Sequence, residues 1–170
     1  MFCKTIYRGR AVSLKVESLV EPGGVNTRRE IVYHPGSVVL IPCLADGHVL
    51  LVRQYRHAAR QSLWELPAGT LEPGEAPRHA AQRELAEETN FRARRLKLLC
   101  TFYPSPGILS EKMHLYQASG LVASRADADP DERIRVRRFS RAELRRMVRS
   151  GRIRDAKTLV GLLWLLARTK

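Results

Sequence analysis

Three glutamates, Glu84, Glu87 and Glu88, crowd into a stretch (Ala80, Ala81, Arg83 to Glu88) made almost wholly of good helix formers. On a helix, Glu84 and Glu88 stack on one face and Glu87 lies beside them. Like charges so spaced repel by roughly a few tenths of a kcal/mol per pair, so the arrangement calls for counter-charge. Arg83 supplies one unit. A divalent cation would supply more, and carboxylate oxygens are the ligands that hard ions such as Mg²⁺ take. The competing reading is a solvated acidic helix face. Two features weigh against it. The chain is strongly basic elsewhere, and the cluster follows Gly69-Thr70-Leu71-Glu72-Pro73-Gly74-Glu75, whose glycines permit close approach of the backbone to a ligand.

The elements that must position these carboxylates can be read in order. Ala11–Val20 and Arg28–His34 have strand character, separated by the turn residues Glu21-Pro22-Gly23-Gly24. A second pair, Ser37–Leu44 and His48–Tyr55, is joined by Asp46-Gly47, which predicts a tight hairpin. Its apolar content is nearly continuous, so these strands should be central and covered on both faces. Residues 67–75 read as a loop, and the helix follows with Pro77 in its first turn, where proline is tolerated. Strands resume at Arg95–Tyr103 and Lys112–Ser119, with another at Arg133–Phe139. The rigid loop Pro104-Ser105-Pro106-Gly107 separates the first two. Ser140 with Glu143 is a capping-box signature for a helix to about Ser150. A last helix from near Asp155 carries Leu159, Leu162, Leu163 and Leu166 on one face. Strands, helix, strands, then helices predict an α+β or α/β sandwich architecture around a mixed sheet.

Composition sets outer limits. A chain of 170 residues suits one domain with a real core. The longest apolar run, Leu159–Ala167, has nine residues against the about 20 that a membrane-spanning helix needs. The start, Met1-Phe2-Cys3-Lys4-Thr5, does not read as a secretory signal. Cys3, Cys43 and Cys100 fit neither a disulfide framework nor a zinc site, so a reducing cytoplasm is expected. The net charge of +13, carried by 24 arginines among 30 basic residues, is the one outlier. It fits attraction to polyanions such as RNA, or a solvated surface in an arginine-rich proteome. No aromatic–basic RNA motif accompanies it, which favours the second and makes a nucleic-acid partner the lesser expectation.

The segment from Gly69 through Glu75, Arg83-Glu84-Leu85-Ala86-Glu87-Glu88 and Phe91 resembles the Nudix box, G-x5-E-x7-R-E-U-x-E-E-x-G-U with U bulky and apolar. Every fixed position matches except the last glycine, which is Asn90. That glycine ends the helix, where a left-handed conformation is common, and Asn is the next-best residue for it. The likeness extends to Tyr7-Arg8-Gly9-Arg10, Arg29-Glu30, His34-Pro35-Gly36, Val52-Arg53-Gln54-Tyr55-Arg56, Glu65-Leu66-Pro67-Ala68-Gly69 and Pro104–Gly107 followed by Glu111. These resemble the ADP-ribose and nucleoside diphosphate sugar pyrophosphatase branch, as does Pro106, fifteen residues past Phe91.

The resemblance implies an α/β/α sandwich in residues 37–170, preceded by a small antiparallel β subdomain, residues 1–36, through which such proteins form homodimers. It implies hydrolysis of the pyrophosphate bond of ADP-ribose or a related substrate with Mg²⁺, or Mn²⁺ in its place. Glu84 and Glu88 match the main metal-binding carboxylates, Glu87 a nearby ligand, and the carbonyl of Ala68 a backbone ligand. Arg83 would orient the glutamates and Glu75 would support the loop. Glu111 is the candidate base or additional ligand. Arg53 and Arg56 are candidates for the diphosphate, since guanidinium pairs well with phosphate oxygens. Glu65 would bond the ribose or hold its loop. Other Nudix substrates (a GDP-sugar, coenzyme A, a capped RNA end) and a non-catalytic nucleotide or RNA binder are the alternatives. The intact carboxylates weaken the last.

Overall fold

The structure, a computed structural model, describes residues 2–125 and 134–167. Three strands, β1 (Phe2–Arg8), β2 (Ser13–Glu21) and β3 (Val25–Tyr33), form an antiparallel sheet of their own. The turn between β2 and β3 puts Gly23 and Gly24 at φ of 97° and 81°, a conformation that penalises any Cβ. β1 lies outside the strands expected from the sequence; all its described residues are exposed.

The remainder holds two further sheets. β4 (Ser37–Pro42), β7 (Ala68–Thr70), β8 (Phe91–Phe102) and β9 (Met113–Ala123) form a mixed sheet in the order β7-β4-β9-β8, with β4 and β9 parallel. β5 (Val49–Arg56), β6 (Gln61–Glu65) and β10 (Arg135–Phe139) form an antiparallel sheet in the order β10-β5-β6. The expected start of the last strand at Arg133 lies outside the described residues.

The hairpin expected at Asp46-Gly47 is corrected. The turn forms, with Gly47 N–H bonded to Leu44 O, but the strands share only the bridge Cys43–Val49 and then part into different sheets. The continuous apolar runs explain this. A strand buried on both faces needs partners on both edges, and β4 takes β7 and β9 while β5 takes β6 and β10.

Helix α1 (Pro77–Thr89) covers one face of the mixed sheet; α2 (Arg141–Arg149) and α3 (Ala156–Ala167) lie over the other. Alternation along β4 feeds both layers. Val38 and Leu40 pack with Leu85 of α1, while Val39 and Ile41 pack with Leu144 of α2 and Leu162 of α3. The Ser140 cap is formed, its Oγ accepting from Glu143 N–H at 3.2 Å. On α3 the buried stripe is Lys157, Thr158, Gly161, Leu162 and Leu165; of the expected leucine row Leu162 is buried and Leu159 packs against the core, while Leu163 is 54% exposed. Gly161 sets the rotation: a Cβ there would fall 2.4 Å from Leu66 Cδ1, so this side presses on the sheet. Among the described residues no helix is long and apolar enough to cross a membrane, and all three cysteines are free.

Candidate active site

Helix α1 is held to the sheet by polar staples. The Gln82 amide donates to Ala93 O and accepts from Ala93 N–H, and Arg78 donates to Leu96 O. Its C-terminus is Asn90, in the left-handed conformation at φ 58° and ψ 31°, with its N–H bonded to Ala86 O. The helix therefore ends where the glycine-for-asparagine comparison placed its end.

This fixed helix presents its carboxylates to β7. Glu84 is 9% exposed and its carboxylate lies against Gly69, where any Cβ would fall 1.9 Å from Glu84 Cδ. Only glycine permits that approach. Glu88, 5% exposed, accepts from Ala68 N–H at 3.1 Å. Arg83 joins the parts: it binds Glu75 through two N–H···O contacts of 3.1 and 2.9 Å, Glu84 at 2.7 Å, Glu87 at 3.0 Å and Thr70 O at 3.2 Å. Hydrogen bonding to Glu75 raises the already high pKa of Arg83, and the same contact lowers that of the Glu75 carboxyl. Glu75 also closes its own turn, accepting from Glu72 N–H.

A cleft of about 850 Å³ opens beside this wall. Glu84, Glu87, Arg83, Ala68 and Gly69 border one side. Glu111, from the segment before β9, and Ser37, at the start of β4, border it as well, and the Ser37 hydroxyl donates to the Glu111 carboxylate. His34 Nδ1 is 3.6 Å from Glu111 and accepts from Gly36 N–H at 3.1 Å.

The opposite character belongs to Arg56, at the end of β5, and Lys157, on the first turn of α3. Both are tied to Glu65, which is 1% exposed: Arg56 by Nε and Nη2 at 2.8 and 2.7 Å, Lys157 by Nζ. Burial works to raise the Glu65 pKa, but the two cations outweigh it and hold the carboxyl below its usual range. With both oxygens engaged, Glu65 is placed to hold these two cations. Arg53 does not border the cleft. Three positions from Arg56 on a strand, it points to the other face, 6.0 Å over the Trp64 ring.

Sequence reasoning thus located Arg56, Ala68, Arg83, Glu84, Glu87 and Glu111, which the fold brings to one cleft. Glu88 sits behind them on the backbone of β7. It missed Ser37, Lys157 and Arg10 as wall residues. For Lys157 a signal existed: it is four residues before Gly161 and eight before Leu165, a charge on the buried stripe.

The donor set suits a divalent cation. Buried carboxylate oxygens beside a backbone strand are hard ligands, and the Gly69 cradle keeps Glu84 there. Among the described residues no three His, Cys, Asp or Glu side chains already converge as a cage. Arg83 donates to one oxygen of Glu84 and one of Glu87, and so holds both carboxylates in place on this wall.

A sandwich of this form, with a glutamate helix facing a glycine-bearing strand, defines a class. The family model described as the NUDIX domain matches residues 33–160, and the chain belongs to the Nudix hydrolase family. Among its relatives it is 38% identical to a methanol dehydrogenase activator of Bacillus methanolicus over 94% of this chain and 88% of that one. It is 35% identical to an ADP-ribose pyrophosphatase of Bacillus subtilis (strain 168), again over 94% and 88%. A third, the ADP-ribose pyrophosphatase of Mycobacterium tuberculosis, is 34% identical over 98% and 82%. The crystal structure of an ADP compounds hydrolase superposes with a TM-score of 0.84 at 25% identity, covering 97% of this chain and 90% of that one.

Proposed function

We propose that the chain hydrolyses the pyrophosphate bond of ADP-ribose or a related nucleoside diphosphate sugar, giving a nucleoside monophosphate and a sugar phosphate. The observation that carries this is one cleft lined by carboxylates suited to cations (Glu84, Glu87, Glu111) and by Arg56 and Lys157, suited to phosphate. The names of the relatives from Bacillus subtilis and Mycobacterium tuberculosis support the substrate class. Glu84, Glu87, Glu88 and the Ala68 carbonyl would hold Mg²⁺, with Mn²⁺ as its substitute. Such an ion would supply positive charge to offset that of the diphosphate and to acidify a water.

The chain's own groups account for the rest. Arg83 and Gly69 set the direction of Glu84. Glu111 takes the proton of the attacking water, and Ser37 fixes the carboxylate for that task. Arg56 grips the diphosphate with the guanidinium edge that Glu65 leaves over.

The test is turnover of a panel of nucleoside diphosphate derivatives with Mg²⁺, read as phosphate exposed after phosphatase coupling. ADP-ribose should give AMP and ribose 5-phosphate, and Glu88→Gln should cut kcat by about 100-fold or more. A folded protein that turns over no member, or an unimpaired variant, overturns the reading.

The same reading makes residues 1–36 a dimerisation subdomain in front of the catalytic one. Phe2, Ile6 and Val20 are 60%, 51% and 62% exposed, apolar area that a solitary small sheet leaves in water. Light scattering should give twice the monomer mass, and the double variant F2E/I6E the monomer mass. A monomeric parent protein refutes the assignment.

A further inference from the structure

We infer that Lys157 is a substrate-binding residue, forming with Arg56 an anion seat for a phosphate group of the diphosphate. The inference rests on the pyrophosphatase reading for its ligand, a diphosphate.

Lysine is rarely buried, yet Lys157 is 9% exposed and lies on the stripe that α3 turns to the sheet. Stability is a poor reason for it, because replacing a buried ion pair by apolar side chains is often neutral or stabilising. Its Nζ is 2.5 Å from Glu65 Oε2 and 3.0 Å from Asp155 Oδ1. An ammonium has three donors, so two carboxylates leave one, on a residue that borders the cleft.

Glu65 repeats the device on Arg56. It engages Nε and Nη2 and leaves the remaining N–H groups of a side chain that is 39% exposed. One buried carboxylate therefore sets a guanidinium and an ammonium side by side on the cleft wall. The support behind them is rigid. Asp155 accepts from Thr158 N–H at 2.9 Å and from Thr158 Oγ, and that same Oγ accepts from Leu66 N–H at 2.8 Å. The rotamer entropy of Lys157 is thus lost on folding rather than on binding, which favours affinity. Phosphate oxygens are the acceptors that an adjacent Arg and Lys fit.

The test is calorimetric titration of the full chain with magnesium pyrophosphate, alongside KM and kcat for ADP-ribose and a thermal melt. Lys157→Met should weaken pyrophosphate binding about tenfold or more and raise KM similarly, with a smaller change in kcat. Lys157→Arg, which keeps the charge, should recover affinity to within about threefold of the parent. If Lys157→Met does not fold, Lys157→Gln replaces it, keeping a neutral donor toward Glu65. Parent-like binding by a folded neutral variant, failure of the arginine to rescue, or no binding by the parent overturns the seat. Binding that depends on Lys157 in a protein that hydrolyses nothing on the panel leaves the seat standing and removes the pyrophosphatase reading. Turnover with an unchanged KM in the neutral variant does the reverse.

Discussion

At the scale of single residues the site depends on an absent side chain as much as on charged ones. Gly69 has no need of a positive φ; it is needed because Glu84 occupies the space a Cβ would fill. The atoms in conflict are the end of a flexible side chain, so an added methyl displaces the carboxylate and leaves the backbone alone. Gly69→Ala should therefore keep the melting temperature near that of the parent while kcat falls by about 100-fold, the loss typical of a displacement of about 1 Å at a reacting centre. Steady-state kinetics beside a thermal melt check this. A collapse of the fold without change in the kcat of the folded fraction would contradict it.

At the scale of elements, α1 serves the chemistry only if it stops in the right place. Its last residue is Thr89, and Asn90 turns the chain left-handed into β8. Glycine at that position should stabilise the protein slightly and change kcat by less than about tenfold. Alanine lacks the amide that makes the left-handed conformation tolerable, so Asn90→Ala should destabilise by about 1 kcal/mol, measured by urea unfolding. The other determinant is the rotation of α3. Gly161 brings it close to Leu66, and that closeness carries Lys157 to Glu65.

At the scale of the whole molecule, Glu65 ties parts of the chain remote in sequence. Its bond to Lys157 spans 92 residues and joins β6 to α3, while Arg56 brings in β5. Its folded-state pKa lies below the unfolded value of 4.5. The stability it contributes is therefore present above pH 4.5 and lost as pH falls through the lower folded value. Urea midpoints should decline across that window, and Glu65→Gln, weaker at neutral pH because Arg56 and Lys157 lose their shared carboxylate, should decline less. Parallel curves for parent and variant would place the acid sensitivity elsewhere.

Residue type and spacing alone determined the carboxylate helix, its proline start and asparagine stop, and the family. These are local facts: helical periodicity, turn chemistry and the φ that a residue tolerates are set within a few positions. Strand partnership was not local. The glycine segment before the helix reads as a loop, and only its pairing with β4 makes Ala68–Thr70 a strand. Ser37–Leu44 and His48–Tyr55 look like the arms of a hairpin, and only competition among all the edges sends β4 and β5 into separate sheets. The same limit hid Lys157 and Ser37. Ser37 is an ordinary polar residue in the sequence, and the spacing of Lys157 from Gly161 and Leu165 names no partner for its charge; both belong to the cleft because α3 and β4 meet Glu65 and Glu111 across more than 70 positions of chain. Arg53 is a local matter instead: it lies three positions from Arg56 on one strand, and alternation turns it to the other face, over Trp64. Tertiary structure decided which charges meet, because packing brings together groups whose separation along the chain carries no information about their separation in space.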